Sequence, residues 1–182
     1  MKSTTSYTYK DIWLIAYPIL ISLLMEQMIG ITDTAFLGHV GEIELGASAI
    51  AGVYYLAIFM IGFGFTIGSQ ILIARRNGEG NYRAIGNIFY QGIYFLMLMS
   101  LVIFTLSQLF SEQILGVLVA SDRIVGAATD YIRWRVYGFF FSFIGAMFRA
   151  FFVGTTQTRT LTLNSIVMVL ANVVFNYTLI FG

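Results

Sequence analysis

Residues 25–41 read MEQMIGITDTAFLGHVG, from Met25 to Gly41. The stretch continues an apolar run that opens at Ile12, yet it carries two carboxylates, Glu26 and Asp33, seven residues apart. On a helix, positions 26, 30 and 33 share a face, so the two acids flank the small Gly30 in one stripe. An ionised acid at the centre of a bilayer costs about 3 kcal/mol even on lenient insertion scales, so intramembrane carboxylates face a cavity and mark ion or proton routes. The reading of this stretch turns on whether 12–37 crosses a membrane.

The rest of the chain says that it does. Of 182 residues, 58% are hydrophobic and 10% are charged, with a mean hydropathy of +0.82, far from the balance of a soluble domain. A bilayer core needs about 20 apolar residues per helix, and charge-free intervals of that size recur along the sequence. They place five spans at approximately 12–37, 45–74, 84–111, 133–153 and 160–182. The fourth is the least regular, because Arg133 and Arg135 stand at one end and Arg149 toward the other, all long enough to snorkel. A cleaved leader would account for Lys2, Lys10 and the run 12–25, but Pro18 interrupts that run and no small-residue cleavage pattern follows promptly. A first membrane span fits better.

Loop charges set a direction. Basic residues gather in the N-terminal tail (Lys2, Lys10), the second loop (Arg75, Arg76, Arg83) and the fourth (Arg159). The first loop carries Glu42 and Glu44, and the third Glu112, Asp122 and Asp130 beside Arg123. That alternation places the N-terminus in the cytoplasm, with Arg133 and Arg135 dissenting. The third loop, 111–134, is long enough for a short interfacial helix before span four. The sequence stops flush with an apolar helix, which reads as truncation.

Several function classes fall away. A net charge of +1 offers nothing to nucleic acid. The lack of cysteine removes disulfides, thiolate metal sites and thiol nucleophiles. One histidine and no HExxH or GxxxxGK[ST] pattern weigh against zinc hydrolysis and nucleotide-driven work, and no base–nucleophile constellation suggests an enzyme. No cofactor is expected beyond a coupling ion.

What remains are polar residues inside the spans. Asp33 lies 21 residues after Ile12, roughly 32 Å along a helix, which suits an ion site near the outer end of the span and equally the headgroup layer. Pro18 frees a backbone carbonyl and permits a bend or hinge. On the fifth span, Asn172 and Asn176 stand at i, i+4, with Ser165 two turns earlier on the same side. Asparagine there bonds a neighbouring helix, and its amide oxygen is also a hard ligand for a cation or an acceptor for a protonated carboxyl. In GFGFTIG, Gly64 and Gly68 have the GxxxG spacing that lets helices approach closely. The sequence RRNGEGNYR reads as a tight turn, and the aromatic run YGFFFSF as packing or lipid-facing.

These pieces in this order resemble the multidrug and toxic compound extrusion (MATE) transporters, within the wider group of multidrug, oligosaccharidyl-lipid and polysaccharide (MOP) flippases. The resemblance rests on YPILISLLMEQMIGITDTAFLGHVGEIELGASAIA, ARRNGEGNYRAIGN, ATDYIRWRVYG and FRAFFVGTTQTRTLTLNSIVMVLANVVFNYTLIFG. It implies an all-α polytopic membrane protein, with two six-helix lobes around a central cavity and this chain supplying five helices of the N-terminal lobe as a single transmembrane domain. It implies cation-coupled antiport, with H+ or Na+ as the coupling ion, exporting amphipathic and often cationic drugs by alternating access from the plasma (inner) membrane. By motif, Asp33 takes the place of the span-one carboxylate, a proton or sodium site, and Pro18 that of the proline linked to bending. Asn172 and Asn176 take the places of the polar pair that faces it, so Asp33, Asn172 and Asn176 form the implied Na+ site. Some members carry Asp at the second of these places, whereas Asn176 cannot titrate. Glu26 enters only through its position on the Asp33 face. The implied partners are the bilayer, small-molecule drugs and a C-terminal lobe from the same gene or a separate chain. The alternatives are a lipid-linked oligosaccharide flippase of the same group, for which a more cationic cavity is expected, and a non-transporting membrane fragment or partner-binding lobe.

Overall fold

The computed structural model describes residues 8–119 and 121–180, which hold six helices: α1 (Tyr9–Leu37), α2 (Glu42–Gly78), α3 (Tyr82–Leu118), α4 (Asp122–Arg135), α5 (Gly138–Gly154) and α6 (Arg159–Ile180). Lys2 of the tail and residues 181–182 of the fifth span lie outside this range. Four of the helices, α1, α2, α3 and α6, are long and apolar enough to cross a bilayer, and α4 with α5 passes as one span bent by 55°. The described residues fall into two compact units, one holding α1 and α6 and the other α2 to α5.

The contacts of the second unit give its helix directions. Between α2 and α3, Tyr54 meets Ser107 and Phe65 stacks on Phe95; as one number rises the other falls, so the pair is antiparallel. The turn between them is built for that reversal. Gly80 takes φ +68, a left-handed conformation that glycine adopts without steric cost, and the Asn81 side chain caps α3 by accepting from the Ala84 N–H at 3.1 Å. Along α2 and the bent pair, Gly46 faces Ile124, Gly62 faces Phe143 and Gly154 faces Ile73. Both numbers rise together, so α4 and α5 follow α2 in one direction.

The bend falls where backbone hydrogen bonds tighten. The Tyr137 N–H donates to the Trp134 carbonyl and the Phe139 N–H to that of Val136, an i→i−3 pattern in place of the α-helical one. Side chains pin this elbow to α2. The Arg135 guanidinium lies 4.9 Å from the Tyr55 ring centroid and donates to the Tyr131 hydroxyl at 2.6 Å. Tyr55 in turn stacks on Phe139 at 4.1 Å and shares a 2.7 Å hydrogen bond with Ser142. This explains the two arginines that dissent from the loop-charge pattern: Arg135 is packed against aromatic rings, and Arg133 lies 3.7 Å from Asp130. The expected third loop is mostly helix, since α3 runs on to Leu118 and α4 begins at Asp122.

The core of this unit is aromatic and aliphatic, with Phe139, Phe143, Met147, Leu96 and Ile73 fully buried. Three glycines let α5 close onto its neighbours. A Cβ on Gly62 would meet Phe143, one on Gly92 would meet Met147, and one on Gly154 would meet the Gln70 carbonyl and Ile73. The expected GxxxG pair does not serve this purpose. Gly64 and Gly68 have nothing within 4 Å of an added Cβ, because at 100° per residue they point about 160° and 120° away from Gly62, the glycine that faces α5.

In the first unit, α1 is continuous helix through the buried Pro18, and α6 runs beside it. The Thr162 hydroxyl donates to the Pro18 carbonyl at 2.9 Å, Ser22 and Ser165 touch at 2.6 Å, and Asn176 reaches Asp33. These pairs are separated by 144, 143 and 143 positions. A constant offset over 15 residues of α1 means parallel helices.

Candidate functional site

The α1–α6 seam is held by polar contacts instead of the apolar packing that binds the second unit. Membrane helices lack a hydrophobic drive to associate with one another, so small residues and hydrogen bonds do the work. Ser22 and Ser165 are both buried.

The seam closes on Asp33. Asn172 Nδ2 and Asn176 Nδ2 each donate to the same carboxylate oxygen, Asp33 Oδ1, both at 2.7 Å. Asn176 Nδ2 also lies 3.4 Å from Asn172 Oδ1. All three side chains are half-buried. The helical repeat accounts for the geometry: Asn172 and Asn176 lie one turn apart on one face of α6 and straddle a single position of α1. An ionised carboxylate only accepts hydrogen bonds, whereas an amide both donates and accepts. In this orientation the amides complement an ionised Asp33. With their oxygens turned inward, the same three residues would offer a hard oxygen cage to a cation, or acceptors to a protonated carboxyl.

The structure thus brings together Asp33, Asn172 and Asn176. Glu26 stands apart from them, seven residues or roughly 10 Å down the helix, where the Ser22 hydroxyl reaches its Oε1 at 3.4 Å. Pro18 lies about two turns further down, its carbonyl bonded to Thr162. Sequence reasoning misses Ser22 and Thr162. The available signal is their spacing, since Ser22 precedes Glu26 by four and Thr162 precedes Ser165 by three, each pair on one helical face.

The family model MatE matches residues 18–178, most of the chain. The chain belongs to the MatE family. Among relatives of this MatE chain is the "Probable multidrug resistance protein NorM" of Synechocystis sp., 28% identical over 171 residues that cover 92% of this chain and 36% of the relative. Another is "Multidrug resistance protein PmpM" of Pseudomonas aeruginosa, 24% identical and covering 95% and 36%. Among solved structures, a MOP superfamily transporter from Pyrococcus furiosus, described as having a binding pocket of reverse polarity, superimposes with a TM-score of 0.83 at 16% identity. That match covers 94% of this chain and 40% of the other, and it shows a shared fold. The MatE chain therefore spans little more than a third of the length of these relatives, consistent with part of the N-terminal lobe of a multi-pass membrane transporter.

Proposed function

We propose that the protein acts as part of a cation-coupled multidrug exporter of the inner membrane, N-terminus in the cytoplasm, with Asp33, Asn172 and Asn176 as the site of the coupling ion. The observation that carries this reading is the convergence of two amide donors on one oxygen of the Asp33 carboxylate, inside the membrane-spanning seam. H+ or Na+ is the transported ion. Its arrival neutralises Asp33, ends the reason for both amides to donate, and repacks α1 against α6. Pro18 is the hinge about which that repacking bends α1, and the drug-binding cavity shrinks as it does so, expelling an amphipathic and often cationic substrate. A membrane potential contributes about 2.3 kcal/mol per charge per 100 mV, and each 1.4 kcal/mol is tenfold, so one coupled cation supports a gradient of roughly 40-fold.

The test is dye efflux from vesicles holding a full-length transporter that carries this chain as its N-terminal part. Asp33→Asn is expected to reduce ion-driven efflux to background at unchanged membrane insertion. Asn172→Leu and Asn176→Leu, which each remove one donor, are expected to lower it partially. Efflux retained in Asp33→Asn overturns the assignment.

A further inference from the structure

Hydrogen-bonded rungs join α1 to α6 at three heights, and all of them lie on one side of the proline. Thr162 donates to the Pro18 carbonyl at 2.9 Å, Ser22 and Ser165 share a 2.6 Å bond, and Asn172 and Asn176 donate to Asp33. Pro18 has no N–H, so the Leu14 carbonyl loses its helical donor, and a bend at the proline separates the helix before 14 from the helix after 18. The rungs thus all belong to the upper segment. From the pivot at Pro18, Ser22 lies about 6 Å along the axis and Asp33 about 22 Å.

Lever arms decide which rung survives a swing. A bend of about 20°, where sharp proline kinks begin, moves each point by about a third of its distance from the pivot. Asp33 then travels about 8 Å, Ser22 about 2 Å, and the Pro18 carbonyl stays in place. A 2.6 Å hydrogen bond stretched by that amount at Ser22 is broken, whereas the Thr162 bond at the pivot is kept.

The rungs differ in chemistry as well as in height. Those at Asp33 answer to its charge, and the two hydroxyl rungs are neutral. Between Pro18 and Leu37 the titratable groups of α1 are Glu26 and Asp33, and α6 beyond Arg159 offers Tyr177 and no charged residue. Ser22 and Ser165 are each 1% exposed, so opening their bond is costly unless each hydroxyl finds another acceptor. Each has one on its own helix. Ser22 reaches Glu26 Oε1 at 3.4 Å, and a helical serine turns readily to the carbonyl four residues back.

We propose that Thr162 pins the pivot of α1 to α6, and that Ser22 and Ser165 form a catch which the swing driven by the coupling ion has to open. This rests on Asp33 as the ion site and on bending at Pro18. The cation favours the swung form, so a catch that holds the straight form lowers the apparent cation affinity. One net neutral hydrogen bond is worth about five-fold.

The experiment measures two distances by double electron–electron resonance in a full-length transporter carrying this chain, with spin labels on an otherwise cysteine-free background. One pair, at the exposed Ile31 and Val174, reports the swinging end; the other, at the exposed Leu20 and Leu163, reports the pivot. As protons or Na+ are added, the upper pair is expected to move by several ångströms and the lower pair to stay fixed. Ser165→Ala and Ser22→Ala are each expected to keep that movement and to lower the half-maximal cation concentration about five-fold. Thr162→Val is expected to let the lower pair move as well. An upper pair that swings with a midpoint unmoved in whichever serine variants fold overturns the catch alone, and a lower pair that stays fixed in Thr162→Val overturns the pin. An upper pair that ignores both cations in the wild type overturns the coupling reading and the catch with it.

Discussion

At the scale of single residues, charge placement follows two rules in this protein. Inside the seam, Asp33 has its donors supplied by another helix, Asn172 and Asn176. At the aqueous end of α2, Glu79 is served locally: Arg76 Nη1 lies 2.6 Å away and Arg75 Nε 3.2 Å. The Arg76 hydrogen bond, with Arg75 behind it, holds the Glu79 carboxyl below the usual carboxylate range. Because the value is depressed in the folded state, the stabilising contribution is present above the ordinary glutamate value and fades as pH falls through the lowered one. A carboxyl-carbon NMR titration is expected to show the Glu79 midpoint below that of a free glutamate, and Arg76→Ala to move it back upward. An exposed i, i+3 pair contributes little to stability, so the same variant is expected to leave the melting temperature nearly unchanged. The Glu79 contacts are local, at three and four residues' separation along one helix end. The Asp33 group was only half legible, since its residues sit 139 and 143 positions apart and no local period links them.

At the scale of elements, helix approach decides which glycines matter. Gly154 faces a neighbour's backbone, with the Gln70 carbonyl 3.0 Å from an added Cβ, whereas Gly92 faces the flexible end of Met147. Backbone cannot yield as a thioether can, so Gly154→Ala is expected to destabilise by about 1–3 kcal/mol, the range for overpacking, and Gly92→Ala by less. Gly30, between Glu26 and Asp33, has nothing within 4 Å. Gly30→Ala is expected to be neutral, or stabilising by up to about 1 kcal/mol through helix propensity. Thermal unfolding of the three variants in detergent checks the order. Gly64 and Gly68 do not face α5, because a motif specifies a helix face without specifying what stands opposite. The break at Val136–Tyr137 is likewise silent in sequence, with neither proline nor a glycine pair to mark it. It is set by α5 closing onto α2 and α3 while Arg135 holds the elbow to Tyr55.

At the scale of the whole molecule, direction through the membrane is the property to test. The chain has no native cysteine, so single cysteines report accessibility without background. With the N-terminus in the cytoplasm, Asp130→Cys on α4 is expected to react with an impermeant thiol reagent added outside intact cells, and Glu79→Cys only after permeabilisation. The reverse pattern would invert the orientation argued from the loop charges. Equal labelling of both sites would count against α3 as a membrane crossing between them.

The sequence by itself determined that this is a membrane protein, where its long helices run, and which polar residues inside them call for partners. Those properties follow from composition and from the 3.6-residue period, both local quantities that need no neighbour. Only the tertiary structure decided that α1 and α6 lie parallel, that Asn172 and Asn176 share one oxygen of Asp33, and that α4 and α5 run along α2 with a 55° bend between them. Each of these depends on which faces of separate helices meet. In a bilayer that choice rests on small residues and a few hydrogen bonds, which the sequence contains but does not pair.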